Sequence, residues 1–298
     1  ASPEYVPTTN LSQNSRLYTD VVWQDVNLPH DYVIEGIPSK DYNENLGFLE
    51  YDNGWYLKYF TLGDEDLNKR IVLYFEGIAT YATIWLNGCL LKHSFSGYTS
   101  FEVDITDVVK FNEKNNLAVY VNTENHEGWW YEGGGIYRSV WMIKTDRVST
   151  DLWGVFAKPV IQEDGSWVVE TETTVRNDDI VPHAVRAVSE IFDAEGNSVG
   201  VAEGTATVDL KDKFTIQYSF PMAEVHRWSP EDPYQYSMKT KIFSEGEEVD
   251  ETDVKFGFRT FYTDPEKGLF INDKPYKIKG MCGHADCGLM GKAVPDNI

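Results

Sequence analysis

Residues 282–287, Cys282-Gly283-His284-Ala285-Asp286-Cys287, place two thiols, an imidazole and a carboxylate in one short stretch. That set could hold zinc, but structural zinc sites usually draw on two separated ligand pairs, so no metal ligand is assigned. His30-Asp31, after Pro29, is a second pair able to do acid–base work, although an isolated pair more simply makes structural hydrogen bonds. Gly133-Gly134-Gly135 permits positive φ or a close backbone approach. It lacks the strand and helix that a phosphate loop requires. Arg138 reads as a structural ion pair or a carbonyl clamp, and Trp85 as core packing beside a turn. Aromatic residues make up 14% of the chain, with nine Trp and eighteen Tyr. Large rings suit both a β-sandwich core and the C–H face of a sugar, and composition does not separate the two uses.

Among the 298 residues, 48 acids against 26 bases give a formal charge of −22. Such a surface repels phosphate backbones and anionic lipids, so neither nucleic acid nor membrane is an expected partner. A neutral substrate such as a sugar is compatible with it. No apolar run approaches the roughly 18 residues a membrane helix needs. The start, ASPEYVPTTN, has neither an initiator Met nor the basic-then-apolar shape of a signal peptide. Three cysteines do not make a disulfide framework. A reducing, bacterial cytoplasmic setting is the first expectation, with a periplasmic or secreted one left open. Cys89, in a strand-like stretch, is expected to be a buried small residue.

Strand signals dominate the elements that must position these groups. Ile71 to Phe75 and Leu117 to Val121 are short apolar runs of the buried-strand kind. Thr83 to Leu86, then Asn87-Gly88, then Cys89 to Leu91 reads as a hairpin closed by a type I′ turn. Asp104 to Lys110 is the sole helix hint before residue 150, a turn or two at most. From Val148 onward, hairpins are expected at Val160–Val175 and Ala187–Ala202, followed by strands at Phe214–Phe220 and Tyr236–Phe243. This spacing predicts an all-β sandwich of immunoglobulin size. After Asp264-Pro265, a small hairpin (Leu269–Ile271 with Pro275–Lys279) is expected. Lys277 to Cys282 should continue as a strand into the Gly-rich loop 283–291.

Several segments, in order, carry a resemblance. The first block has Leu28-Pro29-His30-Asp31-Tyr32, Gly54-Trp55-Tyr56, Phe75-Glu76-Gly77, Trp85-Leu86-Asn87-Gly88, Gly97-Tyr98-Thr99-Ser100-Phe101, and Trp130 through Arg138. Later come Trp228-Ser229-Pro230, Phe256-Gly257-Phe258-Arg259, Gly268 through Pro275, Lys279-Gly280 through His284, and Gly291-Lys292-Ala293-Val294. Together they resemble glycoside hydrolase family 2. The fold this implies is a jelly-roll, galactose-binding-like sandwich (1–147) and an immunoglobulin-like sandwich (148–263), with the first strand of a TIM barrel in 264–298. Ala1 to Val22 shows no clean equivalent of the short Trp-Lys-Phe-like strand usual in relatives.

The resemblance implies the non-catalytic front of a retaining, exo-acting β-glycosidase. β-Galactosidase is the first choice, then β-glucuronidase, then β-mannosidase. A stand-alone carbohydrate-binding module and a structural or oligomerisation module are the other readings. Both catalytic Glu residues would lie beyond Ile298, so no catalytic residue is assigned and the chain alone is expected to be inactive. His284 and Asp286, at the end of the expected barrel strand, are implied substrate-binding residues. Trp130 and Asn125, in a loop reaching toward the barrel mouth, are implied as well, with Glu127 near them. Trp129 and Ala285 depart from the residues relatives show there. No cofactor is implied for this chain, and a divalent cation is left open for a longer parent. Carbohydrate is the expected partner, with a homo-oligomer possible. The closing residues are expected to pack on the second sandwich or on another copy of the chain.

Overall fold

The computed structural model describes residues 23–124 and 128–298. Among the described residues the elements are strands, with two single-turn 3₁₀ segments at Glu44–Leu46 and Asp64–Asp66. The described residues up to Lys144 form one compact unit together with Gly283–Ile298, and Thr145–Cys282 form a second.

The first unit is a sandwich of seven strands: β1 (Gly54–Phe60), β2 (Arg70–Phe75), β3 (Tyr81–Leu86), β4 (Cys89–Ser94), β5 (Phe101–Asp104), β6 (Asn115–Asn122) and β7 (Val140–Thr145). One sheet runs β1-β6-β3-β4 and the other β5-β2-β7. Central strands read as continuous apolar runs because both of their faces are covered, and every residue of β6 is buried. Between the sheets, Ile71, Leu73, Phe75, Ile84, Leu86, Val119 and Val121 form the main core. Trp85, Ala118 and Tyr120 point to the other face of their sheet, where Trp55 stacks on Trp85 at 5.5 Å. Trp85 is therefore core, as its place before the turn suggests. Asn87 and Gly88 both take positive φ, at 52° and 84°, and close the β3–β4 hairpin as a type I′ turn.

Cys89 corrects the expectation made for it: its side chain is exposed. β4 is an edge strand, and an edge is set by which strands pair, which no local pattern encodes. The Asp104–Lys110 stretch forms only a turn, with Val108 N and Val109 N donating to Ile105 O.

The second unit holds β8 (Val148–Ile161), β9 (Trp167–Asn177), β10 (His183–Phe192), β11 (Ser198–Val208), β12 (Asp212–Met222), β13 (Tyr236–Ser244) and β14 (Glu247–Phe256). Sheets β11-β10-β13-β14 and β12-β9-β8 form a four-plus-three sandwich of immunoglobulin-like type. Period-two alternation sends Trp167, Val169, Thr171, Thr173 and Val175 of β9 inward, against Val185, Ala187, Ser189 and Ile191 of β10. Four interior hydroxyls satisfy one another. Ser189 Oγ lies 2.7 Å from Tyr218 Oη and 2.6 Å from Thr240 Oγ1, and Thr173 Oγ1 lies 2.8 Å from Tyr218 Oη. Phe258 sits edge-on to Trp167 and Tyr236 at the apolar end of this core. Pro159 falls on β8, an edge strand, where a missing N–H is tolerated.

The second unit also holds a small sheet of β15 (Phe261–Asp264), β16 (Gly268–Ile271) and β17 (Lys274–Tyr276). The β16–β17 hairpin forms as expected but stops at Tyr276, the partner of Leu269 near the end of a four-residue strand. Residues 277–282, expected as a strand opening a TIM barrel, carry no strand, and no barrel region is present among the described residues. A barrel strand takes its hydrogen bonds from two parallel neighbours, and none of the described strands pairs with this stretch. The tail after Asp264, expected on the second sandwich or on another copy of the chain, divides: its residues up to Cys282 belong to the second unit, and Gly283–Ile298 group with the first.

Candidate functional site

The site is built by three segments of the first unit that are far apart in sequence. Residues 30–32 run beside 134–136, with His30 N donating to Ile136 O at 2.8 Å and Tyr32 N to Gly134 O at 2.9 Å. On the other side, Ala79 and Gly135 exchange two backbone hydrogen bonds at 2.9 and 2.8 Å. Gly135 has φ +131°, and a Cβ there would collide with Tyr56 Oη and the His30 carbonyl. Close approach, rather than phosphate binding, is what this glycine supplies.

Asp31 lies at the centre of the arrangement, 3% exposed. Its Oδ1 accepts from Val33 N (3.1 Å) and Gly134 N (2.9 Å). Its Oδ2 accepts from Tyr131 Oη (2.7 Å) and from Lys292 N (2.8 Å), on the closing segment. His30 bonds through Nδ1 to Tyr56 Oη at 2.8 Å and through Nε2 to Glu35 Oε1 at 3.2 Å. The pair is structural, as its bare sequence context suggests.

Around this frame two adjoining cavities, of about 440 and 370 Å³, share His284, Ala285, Asp286 and Lys292. The smaller adds Tyr98, Trp130 and Tyr131; the larger adds Glu76, Tyr137, Arg138, Cys287 and Asp296, among others. Lys292 is buried, with Nζ 3.9 Å from the Tyr98 ring centre and 4.4 Å from that of Tyr137. Two ring faces thus hold the ammonium where the cavities meet. Trp130 is partly exposed and donates from Nε1 to Tyr98 Oη at 3.3 Å, which fixes the edge of its indole. Tyr51 Oη accepts from the Glu132 and Gly133 amides at 3.1 and 3.3 Å, steadying the same loop. His284 stands mostly open to solvent and Asp286 is more than half covered, with His284 Nδ1 3.8 Å from Asp286 Oδ1. Arg138 pairs with Glu76 at 3.6 Å. The arrangement offers aromatic surface for a sugar's C–H face, with an imidazole, carboxylates and two cations to meet its polar groups. Among the described residues no group of three or more His, Cys, Asp or Glu is placed to hold a metal ion.

Two family models match, one described as glycosyl hydrolase 2 galactose-binding domain-like over residues 26–132, the other as glycosyl hydrolases family 2 over residues 150–259. The chain belongs to glycosyl hydrolase family 2. It is 32% identical over 280 residues to the β-galactosidase BoGH2A of Bacteroides ovatus, covering 93% of this chain and 33% of that protein. A solved family 2 member from Bacteroides cellulosilyticus superposes with a TM-score of 0.87 at 30% identity, over 98% of this chain and 38% of that one. The β-glucuronidase of Bacteroides uniformis gives a TM-score of 0.84 at 25% identity, over 92% of this chain and 34% of that one. The chain spans about a third of the length of the curated relatives it matches.

Within this family 2 chain, three of the four residues singled out from sequence, Trp130, His284 and Asp286, line one cavity. Asn125, and Glu127 beside it, lie outside the described residues. Lys292 and Tyr98 had been noted only as parts of motifs, and Tyr51 not at all. Their placement depends on contacts across 32 to 194 residues of chain, and the single local signal is a lysine in an otherwise apolar Ala-Val context.

The buried phenols make the frame sensitive to alkali. Burial, reinforced by the Asp31 carboxylate and its hydrogen bond, pushes the Tyr131 hydroxyl far above the ordinary tyrosine range. Burial also pushes Tyr51 up to about 12. A raised folded-state pKa stabilises fully below the unfolded value of about 10 and is lost as pH rises through the folded value. Urea denaturation of the first unit is therefore expected to show stability falling from about pH 10 upward. Tyr51→Phe and Tyr131→Phe should each flatten that slope, and an unchanged slope in both variants would contradict the assignment.

Proposed function

We propose that the chain is the non-catalytic, substrate-facing part of a retaining, exo-acting β-glycosidase, with a terminal β-galactoside as the first-choice substrate. The observation that carries this is the meeting of Trp130, His284 and Asp286 on one cavity of about 370 Å³. Similarity to the Bacteroides ovatus β-galactosidase and to that of Thermoanaerobacter pseudethanolicus supports the choice of sugar. A β-glucuronide is the second reading. It is favoured by similarity to the β-glucuronidase of Bacteroides fragilis, and by Lys292 and Arg138, two cations able to meet a uronate.

Retaining hydrolysis needs an acid and a nucleophilic carboxylate about 5–5.5 Å apart on either side of the glycosidic bond. In our reading both belong to the part of a longer enzyme that this chain does not span. The residues here would orient the terminal sugar: Trp130 against its C–H face, His284 and Asp286 at its hydroxyls. Incubating the 298-residue chain with aryl β-galactosides and aryl β-glucuronides should give no turnover above background. Turnover that disappears when Glu76 or Asp286 is replaced would overturn the reading.

A further inference from the structure

We propose that Asp31 is the positioning residue of this site. Its carboxylate ties the loop that carries Trp130 and the segment that carries His284 to a single point, and so keeps both on one cavity. The inference rests on reading that cavity as a sugar site.

The carboxylate is used to capacity: each oxygen accepts two hydrogen bonds, which fills its acceptor positions. A carboxylate that merely capped the turn at 31–33 would need only Oδ1 and the Val33 amide. Here the Tyr131, Gly134 and Lys292 partners lie 100, 103 and 261 residues away in sequence. The division between the oxygens matters. Oδ1 holds the local turn and the glycine loop, whereas Oδ2 holds Tyr131, one residue from Trp130, and Lys292, eight residues from His284.

The closing segment reaches Oδ2 by backbone. Gly291 has φ +58°, and a Cβ there would collide with Asp31 Oδ2 and lie 2.6 Å from Tyr131 Oη. Only a glycine lets the Lys292 amide come within bonding distance. Behind it, Ala293 packs with Ala79 and Tyr137, and the Cys287–Gly291 backbone bridge closes the turn that lies between His284 and Lys292.

Asp31→Asn separates the two jobs. Two backbone N–H groups face Oδ1 and cannot rotate, so the new amide keeps its oxygen there and turns its NH₂ toward the Oδ2 side. Tyr131 can rotate its hydroxyl to accept; the Lys292 N–H cannot. The expected result in hydrogen–deuterium exchange on the full chain is faster exchange across 284–292, with 134–136 still protected. If the segment is then docked about one-tenth of the time, affinity for methyl β-D-galactopyranoside falls roughly tenfold. Because Asp31 acts through the segment that carries His284 and Asp286, adding Asp31→Asn to a chain already carrying His284→Ala and Asp286→Ala should cost little further affinity. Gly291→Ala leaves Asp31 intact and should give the same exchange pattern, which keeps the test available if Asp31→Asn does not fold. Unchanged exchange across 284–292 in both variants, or affinity losses that add in full, would overturn the proposal. A wild-type chain that binds neither this glycoside nor glucuronate, yet releases 284–292 on Asp31→Asn, would overturn the sugar reading while supporting the tether.

Discussion

Alanine at Gly135 is expected to destabilise the first sandwich by about 3 kcal/mol, with urea denaturation showing the loss. Two costs add. A φ of +131° is a conformation that L side chains rarely adopt, at about 1–3 kcal/mol. Overpacking a closed site costs a further 1–3 kcal/mol or so. The single methyl would strike Tyr56 Oη and the His30 carbonyl, so the backbone bonds from Gly135 to Ala79 and from His30 to Ile136 would be strained together. Those bonds hold the loop against its neighbours on both sides, so sugar binding should fall with stability. A loss under about 1 kcal/mol would mean that the loop relaxes freely and does not act as a rigid mount.

A comparable loss is expected in the second sandwich from Phe258→Ala, about 3–5 kcal/mol. Phe258 has no exposed surface and meets Trp167 at 5.5 Å, Tyr236 at 4.9 Å and Phe256 at 5.5 Å, all edge-to-face. Removing the ring leaves a cavity and breaks three such pairs, each worth about 0.5–1.5 kcal/mol beyond burial. Because Phe258 lies in the unit spanning Thr145–Cys282, near-ultraviolet circular dichroism and thermal melting should report a change confined to that unit. A melting curve that matches wild type would show that Trp167 and Tyr236 repack into the space.

Phe258 and the Asn87-Gly88 turn show what could be read from sequence alone. Phe258 lies in a strand-punctuated stretch, and the Asn87-Gly88 turn carries its own conformational signal, so both sandwiches were visible from local pattern. Cys89 was misjudged because its exposure depends on β4 lying at a sheet edge, which is decided by pairing partners elsewhere in the chain. Lys277 to Cys282 has a strand's composition, but a strand without neighbours has nowhere to place its amides. His284 and Asp286, two residues apart in one loop, are singled out by the family resemblance alone, and both line the smaller cavity. Asp31 read correctly as a hydrogen-bonding residue, yet its partner at Lys292 is 261 positions away, and no spacing rule reaches that far. Lys292 remained inconspicuous for the same reason: its role comes from the Tyr98 and Tyr137 rings that surround it.

Trp130, His284 and Asp286 are proposed to form one sugar-binding surface. A chemical-shift titration of the isotope-labelled chain with methyl β-D-galactopyranoside, repeated with glucuronate, tests it most directly. The expected result is saturable shifts at the Trp130 indole N–H, the His284 ring and the 283–292 amides for one of the two sugars, abolished by His284→Ala. Saturable shifts that map elsewhere, such as the Trp55–Trp85 face of the first sandwich, or that persist unchanged in His284→Ala, would contradict it.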